Sequence, residues 1–182
     1  MEIHPMKRIL AGVILVGGTL VPASYLHGLL THPLTRGSIW GGVPDVLRPL
    51  YSVSMILAAL GFFLFTGFIL FRVNAGRTRV ARRFGFEVFT LLYFMILIPS
   101  ALWMPLTFAM LESPSQGLWW AIRADLILVG AGSVLMFPAL LTLNPVKRGW
   151  LFALAILGLT FFALQTAVLD ALVWPAYFPF RP

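Results

Sequence analysis

The chain has 182 residues, of which 60% are hydrophobic and 10% are charged, and its mean hydropathy is +0.94. A soluble domain carries about a quarter charged residues, so this composition predicts an integral membrane protein without a sizeable soluble region. The sequence contains no cysteine, which excludes disulfides, cysteine-ligated iron–sulfur clusters and thiol catalysis. The net charge of +7 does not indicate nucleic-acid binding, because five of the thirteen basic residues lie in one short loop.

Five apolar stretches of about 20 residues or more predict membrane-spanning helices. The first follows a basic N-terminus, as in a signal peptide, but it lacks a small-residue cleavage site, so we expect it to be retained. The predicted fold is an all-α bundle of five transmembrane helices that forms a single membrane domain over residues 1–182. The predicted spans are 9–30, 50–71, 86–111, 119–142 and 149–174.

The first loop, residues 31–49, is long and reads "THPLTRGSIWGGVPDVLRP". Prolines and glycines interrupt it, but it also carries the apolar residues Leu34, Ile39, Trp40, Val43 and Leu47. A long connection with residues typical of a core is more often folded than free. We therefore predict a structured segment over one end of the bundle and call it the lid loop.

The third predicted span contains "ALWMPLTF", in which Trp103, Pro105 and Phe108 lie far from the aqueous interface. A proline removes a backbone donor and kinks a helix, and a buried indole N–H needs a partner. Two interpretations are open: these residues fill the core of the bundle, or they line a cavity. In the fourth span, Trp119 and Trp120 are typical of the aromatic belt at the outer interface.

Three charged residues lie inside the predicted spans at about the same depth, roughly 5–10 Å below the outer surface: Arg123, Asp125 and Asp170. Intramembrane charges usually face the bundle and pair. Arg123 is therefore expected to form an ion pair with Asp170, with Asp125 as the rival partner. Such a pair would either hold spans 4 and 5 together or form the polar wall of a ligand site, and a proton relay is less supported.

Other polar residues have simpler interpretations. Glu87 is expected to pair with Arg82 and Arg83 and to cap the third span. His27 and His32 bracket the end of span 1 as possible haem or metal ligands, but no two histidines have metal-site spacing, so we predict no metal site. The glycines at 17–18, 41–42 and 130–132 suggest close packing between helices.

The aromatic and proline pattern resembles the TspO / translocator protein family, the tryptophan-rich sensory proteins and peripheral-type benzodiazepine receptors. In the family's first-loop pattern K-P-x-W-x-P-P-x-W-x-F-x-P-V-W-T-x-L-Y, this chain matches Trp40, Pro44 and, after one inserted residue, Tyr51. The third-helix pattern N-x-x-W-x-P-x-x-F is similar to the run from Ser100 to Phe108. The fifth-helix pattern W-x-x-F-A-x-x-L-N-x-x-I-W is similar to the run from Phe162 to Trp174.

The chain departs from these patterns at several positions, since Thr35 and Leu47 replace tryptophans, and Ser100 and Asp170 replace asparagines. The resemblance implies a divergent member of a family that binds porphyrin and cholesterol-type ligands, and the departures at these positions leave the ligand of this chain open. It also implies that Trp103 and Pro105 help to form a cavity.

Two functions follow from these observations. The first is a receptor or carrier-like protein that binds a flat hydrophobic ligand, such as a tetrapyrrole (porphyrin or haem) or a sterol-like molecule, between the helices. Arg123, Asp125 and Asp170 would be its polar anchors, and the expected ligand-binding residues are Trp40, Tyr51, Trp103, Pro105, Phe108, Phe162, Asp170 and Trp174.

The second function is a structural subunit of a larger membrane complex, in which the C-terminal "WPAYFPFRP" docks on a neighbour. The expected partners are the lipid bilayer and a small hydrophobic ligand. A homodimer or a larger membrane complex is a possible assembly, and no nucleic acid is expected. An enzyme is the least supported alternative, because the chain has no G-x-S-x-G, no H-E-x-x-H and no phosphate-binding loop.

The basic residues predict the orientation. Lys7 and Arg8, the arginine cluster at 72–83, and Lys147 with Arg148 all lie on one side if the spans alternate. The positive-inside rule puts that side, and the N-terminus, inside. A reporter inserted near Arg79 should therefore be on the inner side and one fused after Arg181 should be outside. Protease protection of both reporters measures this, and an inner C-terminus would contradict the orientation or the number of spans.

Overall fold

The computed structural model describes residues 4–178. Within that range, five helices are long and apolar enough to cross a membrane, in agreement with the number and positions of the predicted spans. They are α1 (Pro5–Thr31), α2 (Arg48–Arg72), α3 (Glu87–Glu112), α4 (Gln116–Leu141) and the fifth helix (Trp150–Tyr177).

The fifth helix changes its winding along its length. It is α-helical over Trp150–Ala163 (α5), π-helical over Leu164–Val173, and α-helical again over Trp174–Tyr177 (α6). Pro175 in the last turn has no backbone N–H to donate to the preceding turn. The π-helical turns of Leu164–Val173 are wider than α-helical turns. Turns of this kind are rare in proteins and frequently occur at functional sites. The π-helical segment carries Gln165, Thr166 and Asp170, three polar residues of this mostly apolar helix.

Each helix packs mainly on one or two neighbours, in an order that differs from the order along the chain. The α1 helix packs on α3, α3 on α4, α4 on the fifth helix, and the fifth helix on α2. We call the end with the lid loop and the turn 113–115 the lid end, and the end with the loops 73–86 and 142–149 the basic end. One core cluster fills the middle of the bundle and extends toward the basic end, and a second, smaller cluster lies at the lid end.

The lid loop is folded, as predicted. Residues Arg36–Trp40 form a 3-10 helix, and Gly41 follows with a φ of 56°, a conformation that favours glycine. The N–H of Gly42 donates to the Tyr177 carbonyl at 2.6 Å, which ties the loop to the end of the fifth helix. Val43 is buried beneath it, whereas Leu34 is 96% exposed and does not join the core as its apolar character suggested.

Glu87 lies in the first turn of α3, where a negative charge suits the helix N-terminus, but its expected pairing with the arginines is not formed within residues 4–178. Its carboxylate accepts a hydrogen bond from the Gly85 N–H at 2.9 Å, beside the first turn of α3. No ion pair joins it to Arg82 or Arg83 in the described part of the chain, because Arg83 lies over the Phe84 ring instead, with its guanidinium carbon 5.4 Å from the ring centre. Residues beyond 178, which include Arg181 and the end of the tail "WPAYFPFRP", lie outside the described range.

Glycines allow at least three of the helix pairs to approach closely. A Cβ at Gly130 would lie 3.0 Å from the Ala167 Cα, and one at Gly132 would lie 3.0 Å from the Ile96 side chain, which confirms the packing role predicted for this stretch. The closest approach was missed from the sequence: a Cβ at Gly158 of α5 would lie 2.8 Å from the Gly61 carbonyl oxygen of α2. Backbones this close exclude any side chain at either position.

This contact gives a matched test on one helix. Gly61→Leu should lower the thermal unfolding temperature in detergent, because an added side chain must push α2 and α5 apart, at a cost of about 1–3 kcal/mol. Gly67→Leu is the control, since no atom of a neighbouring helix lies within 4 Å of the position that a Cβ would take there. Equal shifts for the two variants would show that the close packing of α2 and α5 is wrong.

Candidate functional site

An aromatic cluster occupies the lid end, between α1, α3 and the fifth helix. The Trp103 ring of α3 lies 5.6 Å from the Tyr25 ring of α1 and 5.7 Å from the Trp174 ring of the fifth helix, measured between ring centres. The Trp174 ring stacks on Phe178 at 4.5 Å, and Phe178 in turn stacks on Trp119 at 6.4 Å. Trp119 therefore belongs to this cluster as well as to the expected interfacial belt.

The lid loop covers this cluster and bonds to it. The indole N–H of Trp174 donates to the Ile39 carbonyl at 3.0 Å. The Trp40 ring meets the Tyr51 ring edge-on at 6.0 Å, and the Tyr51 hydroxyl donates to the Leu169 carbonyl at 3.1 Å. Trp40 thus joins the lid loop to α2 through Tyr51, and Tyr51 joins α2 to the π-helical segment.

Below the aromatic rings lies a group of buried polar side chains. The Gln165 amide donates to the Asp170 carboxylate at 2.7 Å, both within the π-helical segment. Asp125 of α4 is buried, with 6% of its surface exposed. Tyr25 lies close enough to interact electrostatically with both carboxylates, and Tyr51 interacts with that of Asp170. Four helices therefore contribute to one polar region.

Three buried atoms in this region have no hydrogen-bond partner in the described structure: the Trp103 Nε1, the Asp125 Oδ2 and the Gln165 Oε1. One of them is a donor and two are acceptors. Leaving a buried polar atom unpaired costs about 1–3 kcal/mol, so most such atoms in folded proteins have a partner. A group of them on three different helices is the feature expected of a site that receives a polar group from outside the chain.

The expected ion pair of Arg123 is not formed. Its guanidinium carbon lies over the Trp119 ring, 5.7 Å from the ring centre, and no ion pair joins it to Asp125 or Asp170 among residues 4–178. Residues two apart on a helix point in different directions, so Arg123 and Asp125 cannot share a face. Arg123 is half-exposed, whereas Asp125 is buried in the bundle. The two side chains lie at a similar depth but point in different directions, so the depth alone did not predict a pair.

The structure separates the other predicted ligand-binding residues from this cluster. Phe108 stacks on His32 at 4.1 Å beside Gly28 of α1, on another side of α3. Phe162 packs with Phe62 and Phe65 in the middle of the bundle. Pro105 lies on the exposed side of α3. Of the eight expected residues, Trp40, Tyr51, Trp103, Asp170 and Trp174 are brought together at the lid end.

The histidines considered as metal ligands have other surroundings. His32 Nε2 lies 3.1 Å from a Glu112 carboxylate oxygen, and its Nδ1 lies 3.0 Å from the Gly28 carbonyl, so His32 links the end of α1 to the end of α3. His27 is exposed on α1. Within residues 4–178, no group of three histidine, aspartate or glutamate side chains is arranged to hold a metal ion.

Sequence reasoning missed Tyr25, Gln165 and Phe178. The signal for Gln165 was present, because a glutamine with a neighbouring Thr166 is unusual in the middle of an apolar span. Tyr25 had no such signal, since a tyrosine near a helix end is typical of the interfacial belt. Comparison with models of known protein families, with curated proteins and with solved structures finds no match to this chain.

The separation of Arg123 from the carboxylates has a measurable consequence. The single variants Arg123→Leu and Asp170→Asn, and their double variant, should change the free energy of unfolding additively within about 0.5 kcal/mol, because the two side chains share no contact. Thermal or denaturant unfolding in detergent measures the cycle. A coupling of about 1 kcal/mol or more, twice the limit expected for independent sites, would contradict this geometry and restore the ion pair.

Proposed function

We propose that the protein is a multi-pass membrane receptor or carrier-like protein that binds a flat hydrophobic ligand at the lid end of its helical bundle. The observation that carries the proposal is the meeting of an aromatic cluster with buried polar atoms that lack partners in the described structure: Trp103 Nε1, Asp125 Oδ2 and Gln165 Oε1. Ligand pockets in proteins are mostly apolar and aromatic, with a few convergent polar groups. Both parts are present here, on separate helices.

The polar atoms define which ligands would fit. A sterol offers one hydroxyl that could donate to Asp125 or Gln165 while its flat face lies against an aromatic ring, whereas a tetrapyrrole would be held mainly through its flat face. The Trp103 N–H could donate to an oxygen of the same ligand. Because Arg123 does not neutralise either carboxylate, the site favours donors or cations over anionic groups. We accordingly place the polar anchor on Asp125 and Gln165, with Asp170 held by Gln165.

The lid loop would control access. Among the described residues, two hydrogen bonds attach it to the fifth helix, Trp174 to Ile39 and Gly42 to Tyr177, and it is also held by the contact of Trp40 with Tyr51 and the burial of Val43. Such a small number of bonds can open without unfolding the bundle. We further propose that the chain is a divergent relative of the TspO family, on the strength of Trp40, Tyr51, Trp103 and Trp174, four positions of the resemblance that meet at this site.

A second candidate function, a structural subunit, is supported by α1. Only Leu10 and Gly28 of this helix are buried, and Gly12 and Gly18 have no atom of another helix near their Cβ positions. Because α1 contacts its own bundle mainly along α3, its other side can lie against lipid or against another protein. Stoichiometric co-purification of other subunits in mild detergent, abolished by bulky substitutions at Gly12 and Gly18, would favour this function over the receptor.

The receptor proposal predicts unequal effects for two tryptophans. Trp103→Leu should weaken the binding of protoporphyrin IX or a sterol by about 1–3 kcal/mol, because it removes a central aromatic anchor and one of the unpaired polar atoms. Trp120→Leu is the matched control, since Trp120 is 60% exposed and lies outside the cluster. Saturable quenching of tryptophan fluorescence measures both affinities in detergent.

The outcome that would reject the proposal is equally specific. If neither ligand binds the unaltered protein saturably, or if Trp120→Leu weakens binding as much as Trp103→Leu, binding at this cluster is wrong.

A further inference from the structure

A separate site lies at the opposite, basic end of the bundle. A hollow of about 530 Å³ opens between the loops 73–86 and 142–149. Two arginines, Arg82 from the first loop and Arg148 from the second, line it, together with Asn144 and the apolar side chains of Leu143 and Val146. No carboxylate is among its lining residues in the described chain.

The two loops that form the hollow are bonded to each other. The Arg79 N–H donates to the Asn144 carbonyl at 2.9 Å, and the Asn144 N–H donates back to the Arg79 carbonyl at 3.0 Å. The Ala81 N–H donates to the Thr142 hydroxyl at 3.0 Å. Three hydrogen bonds between residues far apart in the sequence make the hollow a fixed feature of the fold.

The backbone at the rim of the hollow is strained. Ala81 has a φ of 50° and Arg82 a φ of 59°, values that side-chain-bearing residues rarely adopt. Such conformations persist where the surrounding structure determines them, and they concentrate at binding sites. Here the bridge to Asn144 and the bond to Thr142 hold the turn that presents Arg82 to the hollow.

The charge around the hollow is positive and not neutralised. Seven cationic side chains lie on the two loops and the adjoining end of α2, and across residues 4–178 none of them forms an ion pair with a carboxylate. They are Arg72, Arg77, Arg79, Arg82, Arg83, Lys147 and Arg148. Arg148 is partly engaged, since its Nη2 donates to the Leu141 carbonyl at 2.7 Å, whereas the Arg82 side chain makes no hydrogen bond or ring contact with any described residue.

We propose that this hollow binds the phosphate group of an anionic phospholipid. Guanidinium groups match phosphate oxygens in geometry and charge, and the Asn144 amide adds a neutral donor. The apolar walls from Leu143 and Val146 adjoin helices long and apolar enough to cross a membrane, so a phosphate attached to acyl chains fits better than a free anion. A zwitterionic headgroup fits less well, because no carboxylate among the described residues lines the hollow to bind its cationic end.

The lipid specificity can be measured on the purified protein in detergent. Thermal unfolding is followed while short-chain phosphatidylglycerol, phosphatidylcholine or inorganic phosphate is added. The expected result is a saturable rise in the unfolding temperature with phosphatidylglycerol that neither phosphatidylcholine nor phosphate reproduces. If phosphatidylcholine raises the unfolding temperature equally, the site does not require an anionic lipid. If inorganic phosphate raises it equally, the site binds a free anion and not a lipid.

Paired variants of the same loop locate the binding. Arg82→Gln should weaken the affinity for phosphatidylglycerol about fivefold, the effect of one basic residue near an anionic lipid. Arg77→Gln removes the same charge from a residue that does not line the hollow, and it should change the affinity less than about twofold, well under the effect of a residue in direct contact. Arg82→Lys should keep most of the affinity. Equal losses for Arg82→Gln and Arg77→Gln would overturn the site and leave only a diffuse positive surface.

Discussion

The constraint on which the structure depends is the burial of polar atoms in a bundle that is otherwise apolar. Asp125 and Gln165 are both more than nine-tenths buried, and each keeps one oxygen without a partner in the described structure. Unpaired buried polar atoms are costly, and the cost is greater where no water can replace the missing partner. The aromatic rings and the lid loop lie over this region, and we propose that a ligand supplies the missing hydrogen-bond partners.

Charge divides the bundle into two ends with different chemistry. Within residues 4–178, Asp125 and Asp170 lie toward the lid end without a neutralising cation, whereas the cations of the loops 73–86 and 142–149 lie at the basic end without a neutralising carboxylate. The ligand we propose for the first end donates hydrogen bonds or carries positive charge, and the one we propose for the second end carries a phosphate. The middle of the bundle, filled by Phe62, Phe65 and Phe162, separates the two.

The parts of this arrangement that the sequence predicted are those that depend on local composition. The five spans followed from the length of apolar runs, and the folded lid loop followed from Trp40 and Val43 in a connection rich in proline and glycine. The prediction that Arg123 forms an ion pair was wrong, because the position of a residue in a helical sequence gives its depth but only roughly the direction of its side chain. The contact of Gly61 with Gly158, the π-helical turn and the place of Tyr25 depend on how the helices cross, which no single segment determines.

We propose that the ligand of the lid end lies among Tyr25, Trp103 and Trp174, beneath the lid loop. Photolabelling tests it most directly: the protein in detergent is irradiated with a photoactivatable sterol and, separately, with protoporphyrin, and the modified peptides are identified by mass spectrometry. We expect saturable labelling of at least one of these three residues by at least one of the probes, and excess unlabelled ligand should suppress it. Labelling confined to the exposed apolar faces of α1 and α2, unaffected by excess ligand, would contradict it.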